Sequence, residues 1–200
     1  MDFETVVMQR RMVRNYSDAP VTEDQIERIM RVARRTPSAG FSQGQSFVVV
    51  TDPSTRARIA ELAGEPNYVE QGFDPWISGA PVVVVCCTSE KLYRDRYLEP
   101  DKLRGDGTPI EWPVPYWWVD SGCSMMLLLL AAVNEGLAAG FLGMGAEGYQ
   151  HLKEVLEIPN HVTPFGLVTI GHPVPDRRSG SLARGWRPDY EVVHRERWGE

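Results

Sequence analysis

Two hundred residues, 42% hydrophobic and 24% charged, describe one folded domain with a sizeable core and exclude a disordered chain. The formal charge of −6 argues against nucleic acid or an anionic membrane as the main partner. Basic charge is uneven: Arg outnumbers Lys by 18 to 3, and seven Arg fall within the first 35 residues.

Residues 3–13 read as a short helix. Thr22, with Gln25 three positions later, is a capping box that opens a second helix, and Ile26, Ile29, Met30 and Ala33 recur on one face of it. Pro37 is expected to stop that helix. Residues 47–51 form a β-branched run and predict a strand; Asp52-Pro53 then starts a helix through residue 62. Residues 81–88 are apolar on both faces, the pattern of a central strand. Residues 89–118 carry Pro100, Gly105, Gly107, Pro109, Pro113 and Pro115, yet also Trp112, Tyr116, Trp117 and Trp118. They predict either an aromatic flap or insertion over a binding site, or packing at the edge of the core. The helix predicted over residues 119–137 is apolar all round in its middle, so it needs cover on every side. A partner subunit would give that cover, and a homodimer is expected. Residues 167–171 predict a further strand. The tail over 179–200, with its tryptophans, is expected to pack on the partner subunit.

The continuous apolar run over 125–133 is shorter than the ~20 residues that cross a bilayer. Met-Asp-Phe-Glu opens no signal peptide. No membrane association is expected, and the location is expected to be cytoplasmic. Cys86, Cys87 and Cys123 form no C-x-x-C, and His151, His161, His172 and His194 lack metal-ligand spacing, so no metal is expected. Gly143-Met144-Gly145-Ala146-Glu147-Gly148 is a literal G-x-G-x-x-G, but position 168, where the ribose acid would fall, is Val. A glycine-rich turn is the better reading. No nucleophile with a partner base is present, so the chemistry is expected from a bound cofactor rather than a catalytic side chain.

Two motifs fit such a cofactor. Arg10, Arg11 and Arg14 can hold one phosphate by charge-assisted bonds. The small-residue loop Pro37-Ser38-Ala39-Gly40-Phe41-Ser42-Gln43 lets backbone N–H groups approach a flat polar ring. Together they suggest FMN. In this order, the motifs resemble the nitroreductase family of flavoproteins. Arg10-Arg11-Met12-Val13-Arg14-Asn15-Tyr16 is similar to its opening R-R-S-V-R-x-F, and Thr36 to Gln43 is similar to its A-P-S-A-x-N-x-Q loop. Asp120 to Gly143 resembles its long interface helix and following turn. The closing motifs Leu156-Glu157-Ile158-Pro159 and Val168-Thr169-Ile170-Gly171-His172-Pro173, and the tail from Arg187-Pro188, extend the resemblance over nearly the whole chain.

The resemblance implies a single α+β domain over 1–200, with a mixed or antiparallel central sheet flanked by helices, in an intertwined homodimer. It implies FMN as cofactor and NAD(P)H as reductant of an electron-poor small-molecule acceptor, such as a nitroaromatic or quinone. Arg10, Arg11 and Arg14 would hold the phosphate and ribityl chain, joined by Arg184 or Arg187. Pro37, Ser38, Ala39 and Gln43 would line the ring from the other subunit, and the Leu142-Gly143 backbone would approach it. Phe41, Tyr116 and Trp117 are the candidate acceptor contacts. Phe41 stands where the family often has Asn, and Gly44-Gln45 replaces Pro-Trp. The aromatic at 41 also resembles a flavin-fragmenting branch that makes dimethylbenzimidazole, so that activity and non-catalytic flavin storage stand as alternatives.

Overall fold

The computed structural model describes residues 1–177 and 179–199. In chain order its main elements are α1 (Phe3–Gln9), α2 (Glu23–Ala33), β1 (Gln45–Val50), α3 (Pro53–Leu62), α4 (Glu65–Glu70) and β2 (Val82–Thr88). These are followed by α5 (Glu90–Arg96), α6 (Tyr116–Asn134), β3 (Ala138–Leu142), α7 (Ala146–Val155) and β4 (Thr163–Gly171). The four strands form one sheet in the order β1-β2-β4-β3, and every neighbouring pair is antiparallel.

β2 is buried along its whole length because helices cover both faces of the sheet. Its side chains alternate as strand geometry requires. Val83, Val85 and Cys87 join Ile59, Trp76, Leu152 and Leu167 on one face. Val82, Val84 and Cys86 join Ile26 and Ile29 of α2 and Leu128 and Leu129 of α6 on the other. Burial pushes both thiols, Cys86 and Cys87, up in pKa, which leaves them inert packing groups. Ser124 of α6 donates to the Ala33 carbonyl at 3.1 Å and ties the two helices together.

Several boundaries differ from the sequence reading. α1 stops at Gln9, and residues 10–16 run extended because Met12 bridges to Ala139 of β3. α2 ends at Ala33, ahead of Pro37. α6 begins three residues before the expected start, at Tyr116, and ends before Gly136, whose φ of +75° the helix cannot continue through. By length and hydropathy α6 could cross a membrane, but its Ser121, Ser124, Leu128 and Ala132 side is packed in the core. Nor is it buried on every side within one chain. Val119, Cys123 and Met126 are exposed on the face away from the sheet.

The segment over 89–118 is more ordered than expected, since it contains α5 and the first turns of α6. Trp112 sits at ring-centre distances of 4.3 Å from Tyr97, 5.4 Å from Tyr116 and 6.2 Å from Tyr93. Its aromatics pack on one another around Trp112.

Candidate functional site

The arginine segment is held in place by β3. The Val13 N–H donates to the Ala139 carbonyl at 3.1 Å, and the Phe141 N–H donates to the Met12 sulfur at 3.3 Å. Gly140 permits this approach, because a Cβ there would collide with the Val13 carbonyl. Tyr16 locks the other side: its buried hydroxyl lies 2.9 Å from the Val13 carbonyl and 2.8 Å from the Thr169 hydroxyl. Burial raises the Tyr16 pKa, so the phenol stays protonated and can donate.

Arg10, Arg11 and Arg14 line one cavity of about 490 Å³, completed by Asp176, Ser179, Ser181, Leu182 and Trp186. Arg11 forms an ion pair with Asp176, whose other oxygen accepts the Arg14 backbone N–H at 3.0 Å. The Asp176 side chain is only 4% exposed. Burial raises its pKa, but bonds from Arg11 and the Arg14 amide together with the Arg11 charge outweigh that, so it lies below the usual carboxylate range. Arg14 stacks 5.6 Å from the centre of the Trp76 ring. Among the described residues neither Arg10 nor Arg14 has a carboxylate partner, which leaves two uncommitted guanidiniums and one shared with Asp176.

The loop after α2 is braced from several directions. Asp120 of α6 accepts the Ala39 N–H at 2.9 Å and the Tyr93 hydroxyl at 2.8 Å. Arg96 donates to the Gly40 carbonyl at 2.9 Å, and Ser38 accepts the Gln43 N–H at 2.9 Å. Gly40 has φ +61°, and a Cβ there would come within 2.6 Å of the Tyr97 ring. Phe41 and Gln43 also adopt positive φ, at 57° and 51°, a conformation that costs a bulky side chain about 1 kcal/mol. The side chain so placed is 71% exposed. The segment over 89–118 thus braces the loop through Tyr93, Arg96 and Tyr97. The Tyr93 phenol is held protonated first by burial and then by its bond to Asp120.

This bracing uses the amides of Ala39, Phe41, Ser42 and Gln43 inside the protein. The sequence reading had these N–H groups approaching a ring; in the structure each has an acceptor within the chain. What the loop offers instead is a second cavity of about 700 Å³, lined by Arg34, Arg35, Thr36, Pro37, Phe41, Gln43 and Gln45. The Thr36 hydroxyl and the Gln45 side-chain oxygen are fully buried behind this lining and have no partner among the described residues. The two cavities share no lining residue.

The remaining expected residues fall elsewhere. The Leu142 side chain is in the core, and Gly143 opens the glycine-rich turn, where Tyr149 caps the Met144 N–H at 3.1 Å. That turn does lie between a strand and a helix, but β3 and β4 are antiparallel, so no dinucleotide-binding βαβ unit exists. Arg187 is engaged by Glu191, and neither it nor Arg184 lines the arginine cavity. The first part of the tail, Ser179 to Trp186, closes this chain's own arginine cavity instead of reaching only to a partner. Trp117 is buried and accepts the Thr88 hydroxyl through its carbonyl, so it packs rather than faces solvent; Tyr116 is partly exposed. Asp120, Arg96, Asp176, Arg34 and Arg35 were not legible as site residues. The bonds by which Asp120, Arg96 and Asp176 reach Ala39, Gly40 and Arg11 span 56 to 165 positions, beyond any local pattern. Among the described residues no group of three His, Cys, Asp or Glu could hold a metal.

The donor set fits FMN. Uncommitted guanidiniums suit a phosphate. The chain matches the family model described as Nitroreductase family over residues 7–172. It belongs to the nitroreductase family. It is 29% identical to an FMN reductase (NAD(P)H) of Bacillus subtilis, covering 93% of this chain and 70% of the relative. It is 28% identical to an oxygen-insensitive NADPH nitroreductase of Salmonella typhimurium, covering 82% and 62%. Among solved structures, nitroreductase A of Vibrio parahaemolyticus superposes with a TM-score of 0.74 at 23% identity, covering 98% and 76% of the two chains. These likenesses establish the nitroreductase fold.

Proposed function

We propose that this protein is an FMN-dependent NAD(P)H oxidoreductase acting as a homodimer on an electron-poor aromatic or quinone acceptor. The carrying observation is that the arginine segment and the loop form two separate cavities in one chain. A partner would set the loop of one chain against the arginines of the other, as the family resemblance implies. Exposed area supports a partner: the chain presents 12198 Å², against about 9,500 Å² expected of a compact monomer of this mass. An excess of that order is what an obligate interface removes from each chain.

In this reading Arg10 and Arg14 hold the cofactor phosphate, and Arg11, fixed by Asp176, sets the geometry of the segment between them. Bound FMN supplies the redox chemistry, taking hydride from NAD(P)H and reducing the acceptor. Pro37, Ser38, Ala39 and Gln43 line the ring of the partner's cofactor. Phe41, held out into solvent by its strained backbone, provides an aromatic face that an acceptor ring can meet.

The purified protein is expected to be yellow and to release FMN, identified by mass, on heating. Arg14→Ala is expected to weaken FMN binding about tenfold or more, the loss of one charge-assisted contact, while sedimentation still reports a dimer. A colourless protein that FMN cannot reconstitute would end this reading.

A further inference from the structure

The loop-side cavity contains groups that the flavin itself does not need. Arg34 and Arg35 follow α2 directly, both line the cavity, and both are exposed. Neither guanidinium meets a carboxylate or other acceptor among the described residues. Basic residues at a helix C-terminus also complement the helix dipole, but that role requires nothing of the cavity. The exposed Phe41 ring lines the same cavity and offers it a flat apolar face.

We infer that Arg34 and Arg35 form an oxyanion subsite, so that the protein selects planar aromatic ligands bearing a carboxylate or phosphate. The ring lies against Phe41 and the oxyanion takes the two guanidiniums. The inference rests on the flavin-oxidoreductase reading, since that reading is what brings aromatic ligands to this loop. The oxyanion has two possible sources: a carboxylated aromatic acceptor, or a phosphate of the pyridine nucleotide.

The test compares the holoenzyme with its Arg34→Gln/Arg35→Gln variant in two pairs of ligands, 4-nitrobenzoate against nitrobenzene and NADPH against NADH. Dissociation constants are measured by calorimetry on the oxidised protein alongside kcat/KM. If the subsite serves the acceptor, the preference for 4-nitrobenzoate over nitrobenzene falls about tenfold or more, as loss of charge-assisted bonds predicts. If it serves the reductant, the preference for NADPH over NADH falls instead. Either result upholds the subsite and assigns its source. Unchanged preferences and unchanged dissociation constants in both pairs overturn it. A wild-type protein that holds no flavin defeats the parent reading instead, and the calorimetric titration of 4-nitrobenzoate then decides the subsite alone.

Discussion

At the scale of single residues, the site depends on small clearances. Gly140 exists so that Val13 can lie against β3, and through Val13 it sets where Arg11 and Arg14 point. Gly140→Ala should destabilise the fold by about 1–3 kcal/mol, the usual effect of overpacking, and lower flavin affinity although it removes no contact to the cofactor. A melting temperature lowered by several degrees with unchanged FMN binding would show that the arginine segment is positioned by something else. The arginines themselves were legible in the sequence, because their spacing and the downstream small-residue loop signal phosphate and ring. Their governors were not. Asp176 is 165 positions from Arg11, and Asp120 is 81 from Ala39, so only folding brings them together.

At the scale of elements, the most readable signals were those satisfied by local chemistry. The Thr22–Gln25 capping box is formed in both directions, with the Gln25 side chain accepting the Thr22 N–H at 3.0 Å and Thr22 accepting the Gln25 N–H at 3.3 Å. Thr22→Ala should cost about 1 kcal/mol, measured by urea unfolding, with flavin content unchanged. A loss above about 3 kcal/mol would mean that Thr22 does more than cap α2. The α3 boundaries, set by Asp52 and Pro53, and the all-buried β2 followed the sequence for the same reason. The elements misjudged were those set by tertiary pairing. Residues 10–13 have helical composition, but Met12 bonds to β3 and the chain runs extended. The start of α6 was placed three residues late: the mutual packing of the aromatics over 112–117 lets it begin at Tyr116, directly after Pro115.

At the scale of the molecule, the fold is α+β as expected, the mixed-or-antiparallel sheet proves antiparallel throughout, and the helix layers follow from the alternation along β2. The assembly is the feature a single chain leaves open. α6 keeps its apolar outer face uncovered, and Trp186 and Trp198 are 95% and 89% exposed. If that face is the interface of the proposed dimer, Met126→Glu, which lies on it, should give a monomer in sedimentation and release the flavin with it. A variant that remains dimeric would place the interface on another surface.

The separation of the two cavities has a genetic consequence. If each working centre takes its arginines from one chain and its loop from another, two defective alleles can rescue each other. Co-refolding an Arg14→Ala chain with one whose loop is disabled, such as Pro37→Arg, would yield mixed pairs in which one centre is intact and the other doubly damaged. Random pairing then restores about a quarter of normal activity at an FMN concentration too low to fill the centres of either parent.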